Sequence, residues 1–351
     1  MPPEVLAPGD LRALLAELSG ALPLHPLWSL PELFTERVEV DGLVLSLVGL
    51  VARSADGTEV VGSAAECGQV PLRRAYFELL ERTSTLAVLR DGPQQVTVVD
   101  ETGLHLGERA REEVFPEAPA DCSYRYALTN GVAAATDFTA AARSAAYEAI
   151  ERDRILRSWY GLIAPLRLPE ADLGPLARLR PRFRLEAFEL PAASTDAPAV
   201  AGVLGFPESA EEPLIRGTGA GKDLTEALAR ASRECLQTLG FLWGESIPAA
   251  EPTFETSAEY HQEYYLWAPA RAALQAWLKG TRLGIAGQAI ARMRRTAQPR
   301  RRYADLTPHH LRGRVWVVKS LSETELPLVF GSGHPAIPAR GGLQLGVHPI
   351  S

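Results

Sequence analysis

Apolar residues recur at helical spacing near the start of the chain. Leu11, Leu14, Leu15 and Leu18 share one stripe and predict a helix over residues 10–22, with Asp10 as its N-cap. Pro23, Pro26 and Pro31 then break the period. Residues 38–53 are rich in Val and Leu and predict a hairpin turning at Asp41-Gly42; Asp56-Gly57 marks a second turn. Residues 60–70 carry Gly62 and Gly68 and lead to Pro71, a residue suited to the first helical position, which opens a helix over 71–82. A strand over 96–99 precedes a polar loop with Pro116 and Pro119, and a short strand over 124–128 enters the loop Thr129-Asn130-Gly131. Residues 139–159 hold neither Pro nor Gly and predict one helix of about five turns. Pro165, Pro169, Pro175 and Pro181 mark an irregular stretch, followed by strands over 183–190 and 199–206. A glycine loop, Gly217-Thr218-Gly219-Ala220-Gly221, feeds a helix over 224–239 that Thr225 would cap. A helix over 268–278 and strands over 315–319 and 327–330 complete the pattern; from Gly331 to Ser351 Gly and Pro dominate without helical period. The mixture is α/β in the broad sense, a mixed α+β chain.

Composition narrows the class. At 351 residues, with 46% apolar and 23% charged, the chain has the make-up of a soluble globular protein with a sizeable core. The net charge of −7 argues against general nucleic-acid binding. Cys67, Cys122 and Cys235 are odd in number and widely spaced, which fits neither a disulfide framework nor a zinc pattern; a reducing cytoplasm is the simplest setting. The apolar run over 43–52 is too short to cross a membrane, and Met-Pro-Pro-Glu has no features of a secretory signal. Lysine is scarce, with only Lys222, Lys279 and Lys319.

The candidate chemistry lies on three helices. On the helix over 139–159, Ser144, Glu148, Glu151 and Arg152 are three and four residues apart and share a face, leaving Ala145, Ala149 and Ile150 for packing. Two carboxylates, a hydroxyl and a guanidinium so placed could hold a metal and a phosphate, or form a surface salt-bridge ladder. Taken alone, the ladder is the commoner outcome. The pattern recurs. The helix after Pro71 carries Glu78, Glu81 and Arg82, and the helix after Gly221 carries Arg230, Glu234 and Gln237. Each follows a strand and a glycine-containing segment, and the three are expected to share one site. Magnesium prefers carboxylate and phosphate oxygens, glycine loops and helix N-termini offer N–H groups to phosphate, and arginine binds phosphate in bidentate fashion.

These segments resemble the YcaO family. Residues 71–82 are similar to the family's Glu-x-x-Glu-Arg helix. Asn130-Gly131-Val132-Ala133 with Glu148-Ala149-Ile150-Glu151-Arg152-Asp153 resembles its Asn-Gly-x-Ala and Glu-x-Ile-Glu-Arg-Asp segment. Gly217-Thr218-Gly219 with Arg230, Glu234 and Gln237 is similar to the third. Order and spacing agree over roughly residues 60–340. The resemblance implies a YcaO-type fold in which a sheet and acidic helices surround a nucleotide site, with 61–351 as the catalytic domain and 1–60 part of it or packed on it. It implies ATP and Mg²⁺ as cofactors. Glu78, Glu81, Glu148, Glu151 and Glu234 would hold the metal, and Arg74, Arg82, Asn130, Ser144, Arg152, Arg230 and Gln237 would line the nucleotide. Glu148, Glu151 and Arg152 are the catalytic candidates. The implied reaction phosphorylates a peptide amide oxygen; in azoline-forming members a Cys, Ser or Thr of the substrate peptide then attacks. Thioamide formation with a TfuA-like partner, or a non-catalytic subunit, are the alternatives. A precursor peptide is the expected substrate, and a ThiF-like or other leader-binding partner is expected in trans because no fused leader-binding domain is visible. Neither nucleic acid nor membrane is implied, and a homo-oligomer is left open.

The chain departs from the family pattern in places. Gly62-Ser63-Ala64 lacks the usual lysine, Arg74 stands where serine is usual, and Ala135 stands where glycine is usual. Arg74 either replaces the missing charge or marks a degenerate first segment. The usual Pro-x-Pro-x-Pro end is replaced by His334-Pro335 with Pro338, and by His348-Pro349-Ile350-Ser351. Other residues have plainer readings. Cys67 and Cys235 fit core thiols better than nucleophiles, and His309-His310 lacks metal-ligand spacing. His261, Glu263, Tyr264 and Tyr265 bear some family likeness but fit surface aromatic packing equally. The basic run over 292–302 fits a solvated loop or a dock for an acidic partner, and Trp28, Trp159 and Trp243 fit the core.

Overall fold

The computed structural model describes residues 8–192, 197–280, 301–337 and 347–350. In chain order the elements are α1 (Pro8–Ala21), β1 (Glu32–Val40), β2 (Leu43–Arg53), β3 (Glu59–Cys67), α2 (Leu72–Asp91), β4 (Gln95–Val99), β5 (His105–Ala110) and α3 (Arg111–Val114). There follow β6 (Tyr124–Tyr126), β7 (Val132–Ala135), α4 (Phe138–Trp159), β8 (Leu166–Arg167), β9 (Phe183–Glu189), β10 (Ala199–Pro207), β11 (Ile215–Gly221) and α5 (Leu224–Leu242). The last are α6 (Ala258–Leu266), α7 (Arg271–Leu278), β12 (Arg302–Asp305), β13 (Trp316–Leu321) and β14 (Val329–Gly331). The chain is mixed α+β, as its pattern predicts. The described residues divide into two compact units: those within 1–116, 128–146 and 300–323, and those within 117–127, 147–299 and 324–351.

The first unit is built on two antiparallel sheets, β1-β2-β3 and β5-β4-β12-β13-β7. The β1–β2 turn is the predicted Asp41-Gly42, with φ of 49° and 74°, the two positive values that a two-residue turn between twisted strands requires. Val48, Leu50, Ala52, Val60 and Ala64 pack against Leu72, Ala75, Tyr76 and Leu79 of α2 and against Leu11 and Leu15 of α1. Residues 10–60 thus share a core with α2. Asp10 lies inside the first turn of α1 and is not its cap, because the helix begins at Pro8. Helix α2 continues well past Arg82 to Asp91, since Leu86 and Ala87 keep packing inward. The stretch after Val99, expected as a loop, contains β5 and α3. The end of the basic run forms β12, where Tyr303 and Ala304 are buried; residues 292–300 lie outside the described residues.

The second unit is built on the antiparallel sheet β11-β10-β9-β8 with a short β14-β6 pair. Phe188, Val200 and Leu204 pack on Ile155, Leu156 and Trp159 of α4 and on Leu274 and Trp277 of α7. Burying each such large side chain contributes about 1.5–3 kcal/mol. The Gly217–Gly221 segment, expected as a loop, is strand β11. Its glycines serve close packing instead of turning: a Cβ at Gly217 would lie 2.2 Å from Ala231 O and Cys235 N of α5, and one at Gly219 2.6 Å from Ala227 O. Asp223, not Thr225, caps α5, its carboxylate accepting the Glu226 N–H at 2.8 Å. Helix α6 went unpredicted, and its His261 and Tyr265 are buried instead of forming surface packing. His261 Nδ1–H donates to the His348 carbonyl at 2.9 Å. The Ile350 N–H donates to His348 Nδ1 at 3.4 Å, which leaves the proton on Nε2 to donate to Val329 O at 2.8 Å. Trp159 is core, as is Trp28 in the first unit, whereas Trp243 is half-buried under the Arg182 guanidinium. Among the described residues no helix is long and apolar enough to cross a membrane.

Candidate functional site

In the second unit the helix face of α4 meets β11 and α5. Glu151 is buried, and its Oε1 accepts the Thr218 hydroxyl proton at 2.6 Å. Glu234, on α5, is held by the Thr218 backbone: Oε2 accepts that N–H at 2.7 Å and lies 3.2 Å from Thr218 Oγ1. The Arg152 guanidinium lies 3.9 Å from Glu151 Oε1, and Glu148 is close enough to act on both. Burial pushes the Glu151 carboxyl up to about 7; Arg152 and Thr218 oppose the rise, while Glu234 and Glu148 add to it. Arg152 loses hydration in the same place, yet Glu151, Glu234 and Glu148 outweigh the loss and hold its pKa above the ordinary value. Its Nε is buried with no hydrogen-bond partner. Of the sequence candidates, Glu148, Glu151, Arg152 and Glu234 therefore come together.

Two further residues belong to this cluster and escaped the sequence reading. Thr218 bridges two carboxylates. Arg216, two residues earlier and on the same side of β11, has its guanidinium 5.7 Å from the Tyr265 ring. Burial lowers its pKa, and the charge of Arg152 lowers it further, against Tyr265 and Glu234. Thr218 lies in the segment singled out for its glycines and family likeness, and Arg216 just before it; the contact from Thr218 to Glu151 joins residues far apart in sequence. Arg230 is directed elsewhere: it pairs with Glu226 at 2.8 Å and lies 5.4 Å over the Tyr147 ring. Gln237 lies one turn beyond Glu234 on α5. Cys235 is buried on the same helix and burial pushes its thiol up, as a core thiol requires.

The first unit carries the remaining candidates. Glu78 Oε2 accepts the Ser63 N–H at 2.9 Å, and Oε1 pairs with Arg82 at 2.7 Å. Burial raises the Glu78 pKa against the pull of Arg82, Ser63 and Arg74. Arg82 also donates to Val61 O at 2.9 Å, and Arg74 lies 3.6 Å from Glu66. Glu81 is half-buried one turn along α2. Ser144 is exposed on the first half of α4. Asn130 has its Oδ1 buried without a hydrogen-bond partner, while its carbonyl accepts Lys319 Nζ at 2.7 Å. Lys319 also binds Leu128 O at 2.9 Å and so fixes the loop that carries Asn130. His310 is bound to Pro23 O at 3.0 Å, a structural contact.

This donor set suits Mg²⁺ and phosphate. Glu148, Glu151 and Glu234 offer hard oxygens whose mutual repulsion a divalent cation would relieve. The Arg152 Nε in the second unit and the Asn130 Oδ1 in the first are each buried without a hydrogen-bond partner, and each could serve a polar ligand by itself. Among the described residues no three His, Cys, Asp or Glu side chains already stand as a ligand shell, and Glu151 and Glu234 are instead held by Thr218.

The sequence matches the YcaO cyclodehydratase family, described as ATP- and Mg²⁺-binding, over residues 108–321. Among solved structures the chain is similar to YcaO from Methanopyrus kandleri bound with AMPPCP and Mg²⁺. The identity is 20% over 95% of this chain and 96% of that one, with a TM-score of 0.57. It is also similar to a chain of the E. coli microcin synthetase McbBCD complex with pro-MccB17 bound, at 12% identity over 83% and 87% of the two chains, with a TM-score of 0.54. None of the curated proteins compared matches the chain.

Proposed function

The chain belongs to the YcaO family, whose members bind ATP and Mg²⁺, and from that premise we propose that it is a cyclodehydratase acting on a ribosomally made precursor peptide. The observation that carries the reading is the acidic cluster of Glu148, Glu234 and the buried Glu151 with Arg152, which lies inside the matched region. ATP, when bound, supplies the phosphoryl group that activates a peptide amide oxygen, and Mg²⁺ neutralises the phosphate charge.

The chain's own residues position and neutralise. In the second unit, Glu148, Glu151 and Glu234 are the proposed metal ligands, and Arg152 would present its free Nε–H to phosphate. In the first unit, Glu78 and Glu81 are the proposed carboxylates, with Arg74, Arg82, Asn130 and Ser144 as polar contacts for nucleotide. Arg230 and Gln237 take the same role on α5, Arg230 after release from Glu226. Burial of Glu151 keeps water from competing there, which strengthens its interaction with developing charge. A Cys, Ser or Thr side chain of the peptide then closes on the activated carbonyl carbon. The ring keeps the attacking sulfur or oxygen, the side-chain proton and the amide N–H proton are given up to leave a C=N bond, and the amide oxygen departs with the phosphate.

The McbBCD complex holds partner proteins and a substrate peptide. By that likeness a leader-binding partner, ThiF-like or of another kind, is proposed to present the precursor. The test is mass spectrometry of a precursor incubated with this protein, its partner and ATP. Loss of one water per ring supports the reading. A gain in mass from exchange of oxygen for sulfur would establish thioamide formation instead. Unchanged mass with no ATP turned over would establish a non-catalytic subunit.

A further inference from the structure

The two units contain the same local device. In each, a helix follows an edge strand and lies on it so closely that only glycine fits beneath. A Cβ at Gly62 would lie 2.3 Å from Ala75 O and 2.4 Å from Leu79 N; one at Gly217 would lie 2.2 Å from Ala231 O and Cys235 N. The residue after each glycine points its backbone N–H off the free edge of the sheet. A helical glutamate receives it: Ser63 N–H meets Glu78 at 2.9 Å, and Thr218 N–H meets Glu234 at 2.7 Å. The carbonyl before each glycine is also bound from the helix, by Arg82 at 2.9 Å and by the Thr238 hydroxyl at 2.7 Å. Edge strands leave such groups unpaired, and here the helix satisfies them.

Against this shared background one feature stands out. The Thr218 hydroxyl reaches a second carboxylate, Glu151 on α4, at 2.6 Å. Ser63 makes no such bridge among the described residues. A threonine hydroxyl has one proton. Given to Glu151, it leaves Glu234 held by the backbone N–H, so two separate donors of one residue fix two carboxylates from different helices. We propose that Thr218 is a positioning residue that presets Glu151 and Glu234 for a divalent cation. The proposal rests on the reading of this cluster as a Mg²⁺ site, and it assigns Thr218 a role outside the set of ligands themselves.

Calorimetry of the full-length protein with a non-hydrolysable ATP analogue, in Mg²⁺ and in EDTA, tests it. Thr218→Val keeps shape and backbone N–H but loses the hydroxyl. It should weaken binding in Mg²⁺ by about 10–100-fold and leave binding in EDTA unchanged, and Thr218→Ser should restore the Mg²⁺ effect. Thr218→Ala, which adds no bulk against α4, replaces the valine variant if that variant does not fold. Wild-type binding by the hydroxyl-free variant overturns the proposal. So does a loss that is equal in Mg²⁺ and EDTA, which is the mark of a structural role. Glu151→Gln and Glu234→Gln run in parallel: if both keep wild-type Mg²⁺ dependence, the metal-site reading itself falls, whereas shifted glutamate variants beside an unshifted Thr218→Val sink the positioning role alone.

Discussion

Glu151 illustrates how much a single residue's surroundings change its meaning. In sequence it was one rung of a ladder that surface helices often carry. In the fold it is buried, its pKa is raised by burial, and two neighbouring glutamates add to the strain. A surface rung would lose under about 1 kcal/mol of stability on neutralisation and leave function intact. The buried site predicts the opposite. Glu151→Gln should keep the Thr218 hydrogen bond through its amide oxygen, leave the melting temperature unchanged or higher, and lower ATP-dependent turnover by about a hundredfold or more. Glu148→Gln should lower turnover in the same assay with the fold intact. That Glu148, Glu151, Arg152 and Glu234 come together was legible, because helical spacing and family likeness both point at them. Thr218 and Arg216 were not. Nothing local distinguishes a strand threonine that meets a carboxylate from one that meets solvent, since the partner is set by how α4 packs. Arg230 shows what spacing leaves out: Glu226, one turn away, pairs with it in the fold.

At the scale of elements, long helices were the most readable part of the chain, because their apolar stripes and lack of Pro and Gly leave no other choice. Short strands were the least. Elements β5, β7 and β12 have four to six residues each, too few for alternation to rise above chance. Strand β11 was hidden by its own glycines, which signal a turn in sequence but here admit a helix. That device predicts a stability effect. Gly62→Ala and Gly217→Ala each place a methyl within 2.3 Å of helix backbone, which cannot rotate aside. Each should cost about 1–3 kcal/mol or more, seen as a lowered urea midpoint at unchanged slope. Gly57→Ala, at a positive-φ turn with open space around it, provides the contrast: its cost comes from backbone strain alone and should be about 1 kcal/mol.

For the whole molecule, acid should be felt most by the second unit. His261 and His348 are buried and neutral there, lowered from 6.5 to about 2 and about 4, chiefly by burial. His348 also faces Arg152, His261 faces His348 and Arg216, and backbone carbonyls partly oppose the shifts. At each histidine the unfolded chain binds the proton first as pH falls, so the contribution is full above about pH 6.5 and drains away below it by about 1.4 kcal/mol per pH unit; Glu151, raised to about 7, works the other way over the same window and offsets about one of the two. Urea titrations at about pH 7 and about pH 5 should differ accordingly, and His348→Gln should flatten the difference. The division into interleaved units also bears on how the protein is made. In the first unit's five-stranded sheet, β12 and β13 lie between β4 and β7, yet they occur at residues 302–321. β5 pairs with one edge of β4 at once, but a ribosome must release the chain through β12 before β4 finds its second neighbour. Domains often fold from the N-terminus as they emerge, but here the first unit waits on strands made after most of the second unit. Until then Val96, Val98 and Val99, all buried in the finished sheet, form an open edge that other chains can pair with.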